Sequence, residues 1–284
     1  MEISAKEVMA LRQKTGAGMM DCKKALAESC GDVEKAVTIL REKGIAKAAK
    51  RAEREAQEGV VSTYLSPDGK MGVVLEINCE TDFVAHTDEF RDLARKIMLA
   101  VIKHKPEGDA WRGLSVEGTK ASEALNALSA KMGEKMELRR CEIFQTTDNK
   151  IDIYLHGEGR LGVMLEYSYS GDEAKAAQIA HDLSMQIAAS NPLAINRDQV
   201  PAEAIAQEME IYRQQARNEG KPENIIDKIA QGKLNKYFSE VCLLDQPFVK
   251  EQKTAVKDYL QNQARQFGVK VEPRRFIRFQ LGAS

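Results

Sequence analysis

Gly72-Val73-Val74-Leu75-Glu76-Ile77-Asn78-Cys79-Glu80-Thr81-Asp82-Phe83-Val84 is an apolar, β-branched run that ends abruptly in a polar turn. Such a run reads as a buried strand, because branched side chains suit a pleated surface. The turn that follows presents Asp82 beside Phe83. The run returns at Gly162-Val163-Met164-Leu165-Glu166, but without the turn. Working outward, Tyr64-Leu65 matches Tyr154-Leu155, and Gly69-Lys70-Met71-Gly72-Val73 matches Gly159-Arg160-Leu161-Gly162-Val163. Each copy is a strand, a glycine-containing turn and a second strand, the signature of a hairpin. A helix-period segment follows each. Phe90, Leu93, Ala94, Ile97 and Val101 recur behind the cap Thr87 in the first copy, and Ala177, Ile179, Ala180, Leu183 and Ile187 in the second. The fold class is therefore α+β, with a duplicated core of two related subdomains. The acid–aromatic tip belongs to one copy only, so it is free to do something the shared strand does not require.

Composition bounds the function. The chain has 284 residues, with 42 basic against 43 acidic side chains and a net charge of −1. That balance argues against a general binder of nucleic acid or anionic membrane, which needs surplus Lys and Arg to neutralise phosphate. No apolar run approaches the roughly 20 residues that span a bilayer. The start, Met1-Glu2-Ile3-Ser4, lacks the basic and apolar regions of a signal peptide. Five cysteines at wide spacings do not form a disulfide framework. A cytoplasmic protein is expected. His86, His104, His156 and His181 are scattered and no Cys-x-x-Cys occurs, so neither a metal nor a cofactor is expected. There is no Gly-x-Ser-x-Gly elbow and no phosphate loop of the Gly-x-x-x-x-Gly-Lys-Ser/Thr type. The chain reads as a binding protein rather than an enzyme, with no nucleotide site of its own.

Three short helices are expected at the N-terminus. Ser4 and Glu7 form a capping box, and Val8, Met9 and Leu11 give the first helix its apolar face. Thr15-Gly16-Ala17-Gly18 breaks it. A second helix runs from Met19 to about Ser29. Asp32 caps a third, with Val33, Ala36, Val37 and Leu40 inward and Gly44 as the stop. The organisation read from this is a three-helix module over 1–45, a charged linker helix over 46–58 with Lys47, Lys50, Arg51, Arg54 and Glu55, a first core subdomain over 59–146 and a second over 147–284. The second is interrupted at about 197–240 by two helices joined at Glu219-Gly220-Lys221-Pro222. Ile205, Met209 and Tyr212 line one arm of that hairpin, and Ile225, Ile226, Ile229 and Leu234 the other.

Leu11-Arg12-Gln13-Lys14-Thr15-Gly16-Ala17-Gly18-Met19-Met20-Asp21-Cys22-Lys23-Lys24-Ala25-Leu26 resembles the N-terminal signature of the bacterial elongation factor Ts family. Asn78-Cys79-Glu80-Thr81-Asp82-Phe83-Val84 is similar to that family's second signature. Ala130-Lys131-Met132-Gly133-Glu134, His156 with Gly159–Val163, Ala188-Ala189-Ser190 with Pro192, Gln246-Pro247-Phe248-Val249 and Phe276-Ile277-Arg278-Phe279 follow in family order. The resemblance implies a ubiquitin-associated-like N-terminal module, a coiled-coil hairpin insertion and guanine nucleotide exchange on the GTPase elongation factor Tu. It implies an exchange tip of Thr81, Asp82, Phe83 and Val84, with Glu80 and Thr81 shaping the turn. Phe83 would be an apolar wedge near the partner's Mg²⁺ site, and Asp82 would disturb the polar network that holds the metal. It also implies that Arg12, Met19 and Met20 dock on the partner's nucleotide domain, and His156 and Val249 on another of its domains. Some members continue into a C-terminal helical module; this sequence stops at Gly282-Ala283-Ser284, and that contact is expected to be missing.

From the residues alone, other readings stay open. Phe83 can be a core residue and Asp82 a helix cap; Met19 and Met20 can be core; His156 can be a turn histidine; the hairpin can self-associate. A ubiquitin-associated-type adaptor or scaffold without exchange activity accounts for the first fifty or so residues. It leaves the duplicated core and the tip unexplained. A thousandfold loss of nucleotide affinity needs ~4 kcal/mol of differential binding. One buried phenylalanine supplies roughly 1.5–3 kcal/mol, so contacts beyond Phe83 must contribute.

Overall fold

A computed structural model of the protein describes residues 3–15 and 17–283, without the side chains of 44–50 and 52. Gly16, one of the glycines expected to break the first helix, lies outside the described residues, as do the side chains of Lys47 and Lys50. The chain begins with α1 (Ala5–Thr15), α2 (Met19–Glu28), α3 (Val33–Ala52), β1 (Glu58–Leu65), β2 (Met71–Cys79), α4 (Asp82–Ala85) and α5 (Asp88–His104). It continues with β3 (Ser115–Val116), β4 (Thr119–Lys120), α6 (Ala121–Met132), β5 (Met136–Gln145), β6 (Lys150–His156), β7 (Leu161–Ser170) and α7 (Glu173–Ser190). The last part holds α8 (Ala202–Asn218), α9 (Glu223–Val241), β8 (Pro247–Phe248), β9 (Glu251–Ala255), α10 (Val256–Phe267) and β10 (Lys270–Gln280). It divides into two units, one of Met1–Ser62, Leu75–Glu142 and Gln280–Ser284, the other of Thr63–Val74 and Ile143–Phe279.

The two copies of the apolar run are the middle strands of two three-stranded sheets, ordered β1-β2-β5 and β10-β7-β6. All nine residues of β2 are buried, as are six consecutive residues of β7. A strand covered on both faces carries a continuous apolar run instead of an alternating one. In the second copy β6 and β7 pair antiparallel, Tyr154 facing Val163 and His156 facing Leu161. The intervening Gly157, Glu158 and Gly159 all adopt positive φ, which glycine tolerates at both ends of the turn. Val163, Leu165, Ile179, Leu183 and Ile187 form one buried cluster with Phe248, Val269 and Val271. The α7 helix thus packs its apolar stripe on the sheet, as the periodicity predicts, except that Ala176 is buried and the expected Ala177 is exposed.

Each middle strand also buries a carboxylate. Glu76 is fully buried and accepts from Arg140 Nε at 2.7 Å, from Gly282 N–H at 2.9 Å and from Asn78 Nδ2 at 3.2 Å. Its counterpart Glu166 accepts from Arg275 Nε at 2.6 Å and Asn149 Nδ2 at 2.7 Å. The arginines come from β5 and β10, the strands that complete the two sheets. Burial pushes the Glu166 carboxyl up, but the hydrogen bonds from Asn149 and Arg275 more than reverse this and hold it below the usual range.

The capping box forms, with Ser4 N–H donating to Glu7 at 2.8 Å and Glu7 N–H to Ser4 Oγ at 3.2 Å. Asp32 caps α3, accepting from the Glu34 and Lys35 amides. Two expectations fail here. Gly44 does not stop the third helix, which runs on to Ala52 and takes in most of the charged linker. A helix glycine costs about 1 kcal/mol, and the Lys-, Arg- and Ala-rich sequence beyond it continues the helix. Met9 and Val33 are exposed, so the small core of α1–α3 rests on Val8, Leu11, Cys22, Ala25, Leu26 and Ala36. In the later insertion α8 and α9 fold back on each other. Leu234 and Phe238 are buried against Ile205, Met209 and Tyr212. Ile225, expected to line the seam, is 36% exposed, while Ile226 beside it is buried.

Glu76→Ala is expected to destabilise the protein by about 3 kcal/mol, because removing one partner leaves buried donors without their acceptor. Urea unfolding should show a lower midpoint at unchanged slope. Glu166 predicts an acid limb. Its folded carboxyl lies below its unfolded value of about 4.3, so the pair stabilises above that pH and is lost as pH falls through the folded value. Melting temperature against pH should therefore fall below about pH 4.3, and Arg275→Ala should flatten that limb.

Candidate functional site

Where β2 ends, the chain must leave the sheet, and the local chemistry decides how. Thr81 is the N-cap of α4, its Oγ1 accepting from Val84 N–H at 3.4 Å. Thr81 is in turn held from outside. Its backbone N–H donates to Glu134 Oε2 at 3.1 Å and its hydroxyl to Glu134 Oε1 at 2.6 Å. The Cys79 thiol donates to the Thr81 carbonyl at 3.1 Å. Burial, with the Glu134 charge adding to it, pushes that thiol up to about 12, so it stays protonated and unreactive. One residue earlier, the Glu80 carboxylate accepts from the Lys135 N–H and from Arg54 Nη1 at 3.2 Å. Lys135 Nζ reaches back to the Arg54 carbonyl at 2.8 Å.

The turn so fixed points its residues in opposite directions. Val84 and Ala85 are buried and anchor α4. Phe83 is 83% exposed, more than any other large apolar side chain among the described residues. Asp82 is exposed, and its carboxylate has no hydrogen-bond or ion-pair partner among the described residues. Its carbonyl accepts from the His86 ring Nδ1–H at 2.6 Å and the His86 amide at 3.0 Å. Thr87 closes the turn by donating to the Val84 carbonyl at 2.8 Å and capping α5 through Phe90 N–H. An aromatic ring left in water on a rigid turn is poised for burial by something else. A free hard anion beside it suits an encounter with a cation or a metal-binding network.

The remaining expected contact residues fall in separate places. Arg12 is exposed in the last turn of α1. Met19 and Met20, 44% and 62% exposed, open α2. Both sit in the same unit as the tip. The other unit carries His156 and Val249. His156 is the exposed last residue of β6, its Nδ1 2.9 Å from the Tyr154 hydroxyl. Tyr154 also lies edge-on to the His181 ring, which faces Asp152 at 3.3 Å. Val249 is half-buried between β8 and β9, its N–H donating to Gln186 Oε1 at 2.7 Å.

Glu134, Lys135 and Arg54, which hold the tip, are not among the residues that sequence reasoning assigned to it. The only signal was indirect: Ala130–Glu134 stands out as a motif block, yet nothing in the spacing ties residue 134 to residue 81. Among the described residues no group of His, Cys, Asp and Glu could hold a metal ion, and no helix is long and apolar enough to cross a membrane.

Comparison with known proteins matches residues 80–283 to the family described as Elongation factor TS. Elongation factor Ts of Clostridium novyi (strain NT) is 45% identical over 284 residues, covering 99% of this chain and 93% of its own length. That of Clostridium botulinum (strain ATCC 19397 / Type A) is 45% identical over 284 residues, with 99% and 92% covered. Elongation factor Ts of Prosthecochloris aestuarii (strain DSM 271 / SK 413) is 45% identical over 287 residues, covering 99% of both chains. Likeness of that degree, running through the tip, the repeated strands and the helical insertion, shows that the chain belongs to the elongation factor Ts family.

Proposed function

We infer that this chain promotes guanine nucleotide exchange on elongation factor Tu during translation elongation, with Phe83 as the group that enters the partner. The single observation that carries the reading is the 83% exposure of Phe83 on a turn held rigid from both sides. No covalent bond need break for exchange. The factor binds a GTPase state whose Mg²⁺ and phosphate sites are distorted, and by reciprocity the nucleotide weakens the factor as much as the factor weakens the nucleotide. Phe83 wedges into an apolar pocket near the metal, Asp82 perturbs the polar network holding it, and Thr81 and Val84 fix the turn at either side.

Docking is assigned elsewhere. Arg12, Met19 and Met20 meet the nucleotide domain through the ubiquitin-associated-like module of α1–α3, where methionine's unbranched side chain adapts to a partner surface. His156 and Val249 meet another domain. The α8–α9 hairpin corresponds to the family's coiled-coil insertion, and its exposed Ile211 and Ile225 are available for a secondary contact with the partner or a second copy. The chain works in the cytoplasm, binds no nucleotide, nucleic acid or membrane itself, and needs no cofactor.

Stopped-flow release of fluorescent GDP from elongation factor Tu tests the reading. Substoichiometric protein should accelerate release; an adaptor or scaffold would leave the trace unchanged. Phe83→Ala should lower the maximal stimulated rate by at least about tenfold, the loss expected from roughly 1.5–3 kcal/mol of apolar contact, with the fold intact by circular dichroism. Equal rates for mutant and wild type remove the wedge. Met20→Ala should instead raise the half-saturating concentration and leave the maximal rate near wild type, because it touches docking only.

A further inference from the structure

We propose that Glu134 is a positioning residue for exchange: its carboxylate sets the direction in which Phe83 leaves the protein. The inference rests on the reading of Phe83 as the wedge and deepens it. Glu134 reaches the tip by construction. Gly133 ends α6 at φ +80, a left-handed conformation that turns the chain sharply and that glycine adopts without strain. Ser129 Oγ, one turn earlier, donates to the Glu134 carbonyl at 2.6 Å and braces the new direction. The side chain then meets Thr81 with both oxygens.

Two bonds to one residue do more than one bond to each of two. The Thr81 N–H fixes the backbone plane, and the Thr81 hydroxyl fixes the side-chain rotamer. The same Thr81 oxygen that donates to Glu134 accepts from Val84 N–H, so the hydroxyl ties Glu134 directly to the cap of α4. The Cys79 thiol on the Thr81 carbonyl adds a third direction. The neighbouring Lys135 N–H holds Glu80, so two consecutive residues after α6 clamp the two consecutive residues that precede Asp82. Phe83 lies between this clamped cap and the buried Val84. Its backbone has little freedom left, and its ring is presented without ordering at the moment of contact. Ordering a loop on binding consumes interaction energy, and pre-organisation withholds that loss.

Both Glu134 carboxylate oxygens bond to Thr81, so the effect on Phe83 passes through that residue. In the GDP-release assay, Glu134→Ala should lower the maximal rate about tenfold while changing the half-saturating concentration less than about threefold, since the docking residues lie elsewhere. Glu134→Gln keeps an oxygen for the Thr81 N–H but none for the hydroxyl, and should fall between. Thr81→Val, which removes the hydroxyl from the other side of the same contact, should reproduce the split. Hydrogen exchange in Glu134→Ala should quicken over residues 80–87 and stay unchanged in β7. Combined with Phe83→Ala, Glu134→Ala should slow release less than about twofold further, because both act through one ring. A wild-type maximal rate in Glu134→Ala and Thr81→Val overturns the proposal, as does a full multiplicative loss in the double variant. Should Phe83→Ala itself be normal, the wedge fails and the positioning role with it. A slow Phe83→Ala beside a fast Glu134→Ala sinks the positioning role alone.

Discussion

A carboxylate buried in the middle of a sheet needs its charge answered, and that requirement organises this protein twice. Glu76 and Glu166 stand at equivalent places in the repeated run, and each is met by an arginine from the strand that completes its sheet, Arg140 or Arg275. An unanswered charge there would cost several kcal/mol. Apolar burial alone would accept any third strand with a suitable face. The buried glutamate accepts only one that brings a guanidinium to the right register, which converts a general preference for burial into a specific pairing. In the second copy the cost of the device is sensitivity to acid, since the Glu166 carboxyl is held below its usual range by the pairing.

The same constraint explains how the second copy tolerates a large insertion. The paired residues are 64 positions apart in the first copy and 109 in the second. The added chain includes α8 and α9, which bury Leu234 and Phe238 among their own side chains and those of Ala194, Val200 and Cys242. An insertion that builds its own small core adds little to the closure entropy of the loop it lengthens, because that entropy grows only with the logarithm of the chain.

Much of this was legible in the sequence, for reasons that can be named. The hairpins, the run of β2, the caps at Ser4, Asp32 and Thr87 and the turn at Glu219–Pro222 all rest on interactions among residues close in the chain, and local chemistry writes them. The third strands β5 and β10 were not legible, because their place depends on salt bridges spanning many tens of residues. Gly44 misled because a glycine ends a helix only where the following chain folds back on the last turn, and here it continues. Met9, Val33 and Ile225 misled because an apolar residue at helical spacing is buried only if a neighbour covers that stripe. The tip was legible by composition, as an aromatic and an acid unique to one copy. Its support was not, because a lone glutamate after a glycine carries no mark of the threonine it will hold.

The contrast between the two copies bears on how exchange is driven. In the second copy the strand equivalent to β2 continues to Ser170 and passes through Gly171 into the cap of α7, with Asp172 accepting from Lys175 N–H. Neither Gly171 nor Asp172 carries an aromatic ring. A factor that must leave its partner after each cycle cannot bind the distorted GTPase so tightly that nucleotide fails to displace it, since coupling runs equally both ways. On the reading proposed above, spreading affinity over docking residues while a stiff Asp82–Phe83 turn leads the distortion separates the two demands. The docking surface can then set how long the complex lasts while the ring sets how far the nucleotide site is disturbed. That division requires the ring to be stiff. A flexible tip would settle into whatever shape the resting pocket prefers, and would bind without disturbing it.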